Sequence, residues 1–233
     1  MGAYVAEGLS RGEGAVLIAT PEHREAFAAH LMAAGTGAME AVRDGRLVFL
    51  DAAATLGRLM VDGRPDSERF EAVLGAVIAE VRCRTGGCGL RAYGEMVGLL
   101  WADGEVDAAI ELEEHWNAQL ETSGMRLFCG YPIDVFGEEF DSARLGPILC
   151  THTRLLTANG GLARALDHAM DELLGAEAAV VRREVRDFAP PAGWGALPDA
   201  ESTILWLRSN LPQQAPRIIA RARHYRASYL SVP

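Results

Sequence analysis

The chain has 233 residues, 49% of them hydrophobic, a formal net charge of −10 and a pI near 5.1; that is ample for a sizeable core and too acidic for a surface that tracks a phosphate backbone. All 22 basic residues are arginine, which excludes an ordinary Walker-A loop, a pyridoxal Schiff base and a lysine general base. With no basic and apolar leader at the N-terminus and no run of about 20 apolar residues, the reading is a soluble, cytoplasmic protein with no membrane and no nucleic acid among its partners.

In chain order, Tyr4–Leu9 reads as a helix closed by Gly12 and Gly14, and Ala15–Ala19 as a short apolar run of the kind that forms a buried strand. Thr20-Pro21 then starts a helix, with Thr20 as N-cap and Pro21 in the first turn. It sends Phe27, Leu31 and Met32 toward the sheet and ends near Gly35. A second helix-to-strand passage runs from Met39–Asp44 through Arg46–Asp51. Ala52–Met60 has helical spacing, residues 61–66 break the pattern, and Asp66 or Ser67 caps a long helix facing inward through Phe70, Val73, Leu74, Val77, Ile78 and Val81.

The stretch from Leu90 to Leu120 organises the rest. A strand, Leu90–Tyr93, runs into Gly94-Glu95-Met96, and an amphipathic turn then ends at Trp101 and Gly104. The helix that follows carries Glu111, Glu113, His115, Trp116 and Asn117. Met125–Pro132 is a fourth strand ended by proline. Strands alternating with helices imply parallel pairing through crossovers: an α/β domain over residues 1–140 with a mostly parallel sheet and flanking helices. From residue 141 to 233 the pattern is a helical extension: Leu162–Leu174, a charged patch at Arg182–Arg186, a Pro/Gly/Trp loop at Asp187–Pro198, Asp199–Asn210, and a helix started by Pro212 and running to Tyr225. Trp206, Leu207, Ile218 and Ile219 form its apolar faces.

Four collinear blocks, GLSRGEGAVLIATPEHREAF, GRLVFLDAAATLGRLMVDGRPDSERF, YGEMVGLLWADGEVDAAIELEEHWN and LFCGYP, together resemble the MEDS domain, the sensory domain of methanogen and methylotroph regulators, over about residues 3–140. The resemblance implies a RecA-like, three-layer α/β fold that senses small organic molecules, beside a kinase or transcription-regulator module. It also implies a strand and loop, with a His and a Tyr, ahead of the first helix; that segment is absent from the sequence. No output module is recognisable in the tail.

In an open parallel sheet, ligands bind at the carboxyl ends of the strands. Thr20, Asp51, Glu95 and Tyr131 are expected on that edge, with Met60, Trp101 and Trp116 as apolar walls and Glu113 as a second carboxylate. Three roles fit these residues: a non-catalytic sensor of a small organic molecule that signals through a protein partner or by self-association; a ligand-free scaffold in which they merely cap strands; and an enzyme using Glu95 and Glu113 as acid and base. The first is the leading expectation. The cysteines Cys83, Cys88, Cys129 and Cys150 lack the paired short spacings of a zinc site, so neither metal nor cofactor is expected.

Overall fold

The computed structural model describes residues 1–156 and 160–230. It resolves into two compact units, Met1–Pro132 and Ile133–Pro233, where the sequence suggests a division at residue 140; each is described by itself.

The first unit begins with α1 (Gly2–Ser10), β1 (Gly14–Ala19), α2 (Pro21–Ala33), α3 (Ala38–Arg43), β2 (Leu47–Asp51) and α4 (Ala52–Leu59). A two-residue hairpin follows, β3 (Met60–Val61) and β4 (Arg64–Pro65), turned through Asp62 and Gly63, both at positive φ. Next come α5 (Ser67–Phe70), a π turn at Glu71–Gly75 and α6 (Ala76–Arg84), the single long helix of the sequence reading with one wide turn inside it. β5 (Leu90–Gly94), α7 (Met96–Ala102), α8 (Val106–Ser123) and β6 (Arg126–Cys129) complete the unit.

The four long strands form one sheet in the order β2-β1-β5-β6, and every pairing is parallel. β1 lies inside and is buried along its whole length, as an apolar strand covered on both faces must be. Alternation separates the two cores. Ala15, Leu17 and Leu47 face α1, α2 and α3; Val16, Ile18, Leu90 and Ala92 face the layer of α4, α6, α7 and α8. The result is the expected three-layer α/β unit.

Local chemistry explains most element ends. Asp51 closes β2 and caps α4 by accepting from the Ala54 N–H at 2.9 Å, and Asp66 caps α5 by accepting from Arg69 at 2.9 Å. Two expectations need correction. Met32 is 57% exposed, because α2 turns only Phe27 and Leu31 inward. The fourth strand stops at Cys129, so Gly130, Tyr131 and Pro132 leave the sheet as extended chain.

Sequence reading passed over one feature at the amino ends of the strands. Arg91 of β5 is 1% exposed inside an apolar run. Its guanidinium donates to Glu13 (2.6 and 3.3 Å), Glu7 (3.0 Å) and the Tyr4 carbonyl (2.6 Å), and stacks on the Tyr4 ring. Arg126 closes the network on Glu13 at 2.9 Å. A Cβ on Gly8 would stand 2.6 Å from Arg91 Cδ, so glycine there makes room for the buried cation.

The second unit holds α9 (Ser142–Thr151), capped by Asp141, then α10 (Leu162–Leu174), α11 (Ala178–Arg186), α12 (Asp199–Asn210) and α13 (Ala215–Leu230). α9 is an element the sequence reading lacked. α10 packs on α13, and Leu166 and Ala169 of the one and Ile218 and Ala222 of the other are buried. Glu172 accepts from Arg221 and Tyr225, each at 2.6 Å, across the same helix pair. Among the described residues, no helix is long and apolar enough to cross a membrane.

Candidate ligand pocket at the strand ends

Three neighbouring strands, β1, β5 and β6, end side by side at Ala19, Gly94 and Cys129. The chain beyond each end lines an open cleft of about 260 Å³. Thr20 and His23 enter it from the start of α2, and Tyr93 and Glu95 from the end of β5. Gly98, Leu99 and Ala102 come from α7, and Gly130, Tyr131 and Pro132 from the segment after β6. This is the crevice outside the carboxyl ends of parallel strands. Its size restricts an occupant to a small molecule.

Glu95 is the centre of the site and is 7% exposed. Its Oε2 accepts from the Thr20 main-chain N–H at 2.7 Å; its Oε1 accepts from the Tyr93 hydroxyl at 2.6 Å and from Nδ1 of His23. Burial alone would raise the carboxyl's pKa, but the donors from Tyr93, Thr20 and His23 outweigh it and hold the group below its ordinary range. Glu95 is therefore a buried carboxylate stabilised by donors from α2 and β5. Burial, reinforced by that carboxylate, pushes the Tyr93 phenol well up, so it stays a donor.

Tyr131 lines the cavity while its hydroxyl donates to Glu113 Oε1 at 2.8 Å, and the Cys129 thiol donates to Glu113 Oε2 at 3.3 Å. Burial and the Glu113 charge push both proton donors up, so Cys129 is an unreactive thiol. Two glycines set the shape. A Cβ on Gly98 would collide with the Gly130 carbonyl oxygen, and a Cβ on Gly130 would stand 2.8 Å from the Tyr93 hydroxyl.

Of the residues read from the sequence, Thr20, Glu95 and Tyr131 line the pocket. Glu113 is 2% exposed, is not among the lining residues and accepts from the Tyr131 hydroxyl. Trp101 backs the site, edge-on to Tyr131 with ring centres 6.2 Å apart. Asp51, Met60 and Trp116 lie elsewhere. Asp51 ends β2, on the far side of β1, where it caps α4 and pairs with Arg24 at 3.1 Å. Met60 sits in the β3–β4 hairpin against the core, and Trp116 is a core residue packed edge-on to Phe70 at 5.0 Å. Glu95 is bonded to Thr20, Tyr93 and His23, and Glu113 to Tyr131 and Cys129.

The residues passed over are His23, Tyr93 and the two glycines. His23 was legible in principle, since it lies in the first turn of a helix that leaves a strand end. Tyr93 points to the α2 face, packing on Phe27 at 4.9 Å, and only its hydroxyl reaches past the strand end. All four cysteines are free thiols; Cys83 and Cys88 are exposed and stand apart from the pocket. A second cavity, of about 330 Å³, lies in the second unit beside Phe136 and Ile219. The Arg208 guanidinium there is bonded to the carbonyls of Phe136, Gly137 and Glu138, so its polar groups hold a loop.

A family model described as MEDS, the methanogen/methylotroph, DcmR sensory domain, matches residues 1–153. Neither a search of curated proteins nor one of solved structures finds a match.

Proposed function

Because the chain belongs to the MEDS family of sensory domains, we propose that it is a non-catalytic sensor that binds a small organic molecule in the strand-end pocket and signals through a protein partner or by self-association. The observation that carries this reading is the pocket itself: a cavity at the carboxyl ends of three parallel strands, with mostly apolar walls and a buried carboxylate held by three donors. A ligand-free scaffold would have no use for that space. An enzyme built on Glu95 and Glu113 would need the two carboxylates to face one substrate, whereas each is engaged by its own set of internal donors.

The test is a thermal-shift screen of the full chain against alcohols, amines, halogenated hydrocarbons, carboxylates and nucleotides. A ligand that binds only the folded state raises the apparent stability, by about 2.7 kcal/mol at a hundredfold excess over Kd. The expected result is a shift with one class of small organic compound, lost in Glu95→Gln. A screen with no shift would return the chain to the scaffold reading.

A further inference from the structure

The pocket's hydrogen bonds carry a direction, and that direction constrains the ligand. An ionised carboxylate only accepts, so the proton between Glu95 and His23 sits on Nδ1 of the imidazole. The opposite ring nitrogen, Nε2, then carries a lone pair in the neutral ring. It has no hydrogen-bond partner among the described residues, and the His23 side chain lines the cavity at 56% exposure. Three donors at the pocket are already committed: the Tyr93 hydroxyl and the Thr20 N–H to Glu95, and the Tyr131 hydroxyl to Glu113. The Thr20 hydroxyl can either give or take.

Charge narrows the choice further. No arginine lines the pocket. Glu95 lies in it and Glu113 stands behind Tyr131, while residues 1–132 as a whole carry 20 acidic side chains against 11 arginines. An anion entering this site would lose its hydration and meet negative charge. The remaining walls, Leu99, Ala102 and Pro132, suit a hydrocarbon body.

Taking the sensor reading as its premise, the geometry points to a specific ligand class: a small non-anionic organic molecule whose O–H or N–H, as in an alcohol or amine, donates to Nε2 of His23. Glu95 acts as the positioning residue that fixes the tautomer of that acceptor. A hydrocarbon of the same size lacking the donor forfeits that bond, which is the source of discrimination.

The experiment uses one four-carbon skeleton in four forms, n-butanol, n-butylamine, methyl propyl ether and butyrate, titrated into the full chain. Binding is read by ligand-observed NMR, and the ring nitrogens of His23 are followed by nitrogen-15 shifts. The alcohol and amine are expected to bind about tenfold more tightly than the ether, with butyrate weakest, and to move the Nε2 resonance of the native protein. His23→Leu should bring alcohol and ether to equal affinity. If alcohol and ether bind the native chain equally and Nε2 does not move, the sensor reading survives and the donor inference is overturned. If none of the four binds, the donor inference falls, and the wider thermal-shift screen decides the sensor reading.

Discussion

Glu95→Gln exchanges one carboxylate oxygen for an amide that must itself donate, in a site where Thr20, His23 and Tyr93 all offer protons. All three contacts survive only if Nδ1 of His23 gives up its proton and the Tyr93 hydroxyl turns to accept, and charge-assisted bonds become neutral ones. The variant is expected to lose about 2–4 kcal/mol in urea unfolding. The sign of the pH dependence follows from the depressed carboxyl pKa. Its stabilising contribution is complete above the unfolded value of about 4.3 and is lost as pH falls toward the lower folded value. The stability difference between native and Glu95→Gln chains should therefore shrink below about pH 4.3. Glu7 and Glu13 are also depressed, chiefly by Arg91, so it is the difference between the two chains that isolates Glu95. Arg91 supplies a second test. Arg91→Leu leaves Glu13 with only the more exposed Arg126 as partner, and removing one member of a buried pair costs about 3–5 kcal/mol.

At the scale of elements, close approaches and caps carry the predictions. Gly98 lets α7 run against the Gly130 carbonyl. Gly98→Ala is expected to cost about 1–3 kcal/mol as overpacking and to weaken ligand binding, since the α7 wall and the segment after β6 must separate. Gly12→Ala, at an open position with positive φ, should cost stability but leave binding unchanged. Asp66→Ala removes the side-chain cap of α5 and should cost about 1 kcal/mol, measurable as a shift in urea midpoint at constant slope. The strands were legible in the sequence because a parallel sheet covered on both faces requires uninterrupted apolar runs, and Glu95 was legible because it follows one of them. The strand order was not. The meeting of His23 with Glu95 depends on β5 lying beside β1, a crossover that no local pattern records. For the same reason Asp51, an equally plausible strand-end carboxylate, falls outside the pocket. Trp116 and Met60 misled because an apolar side chain near a strand end serves a core or a wall equally well, and only packing decides between them.

For the whole molecule, the family match spans residues 1–153 and the first unit residues 1–132, with the second unit continuing directly from Pro132. Gly130, Tyr131 and Pro132 line the pocket and are also the last residues of the chain before the second unit begins. The peptide that lines the proposed ligand site is thus also the peptide by which the two units are joined. If occupancy of the pocket alters how this tripeptide is held, the free energy of that change is shared by both ends and obeys reciprocity. A protein that grips residues 133–233 and is released fiftyfold by the ligand must itself weaken ligand binding fiftyfold. A partner of that kind would be detectable without being purified, as a displacement of the titration curve of a compound that binds the pocket.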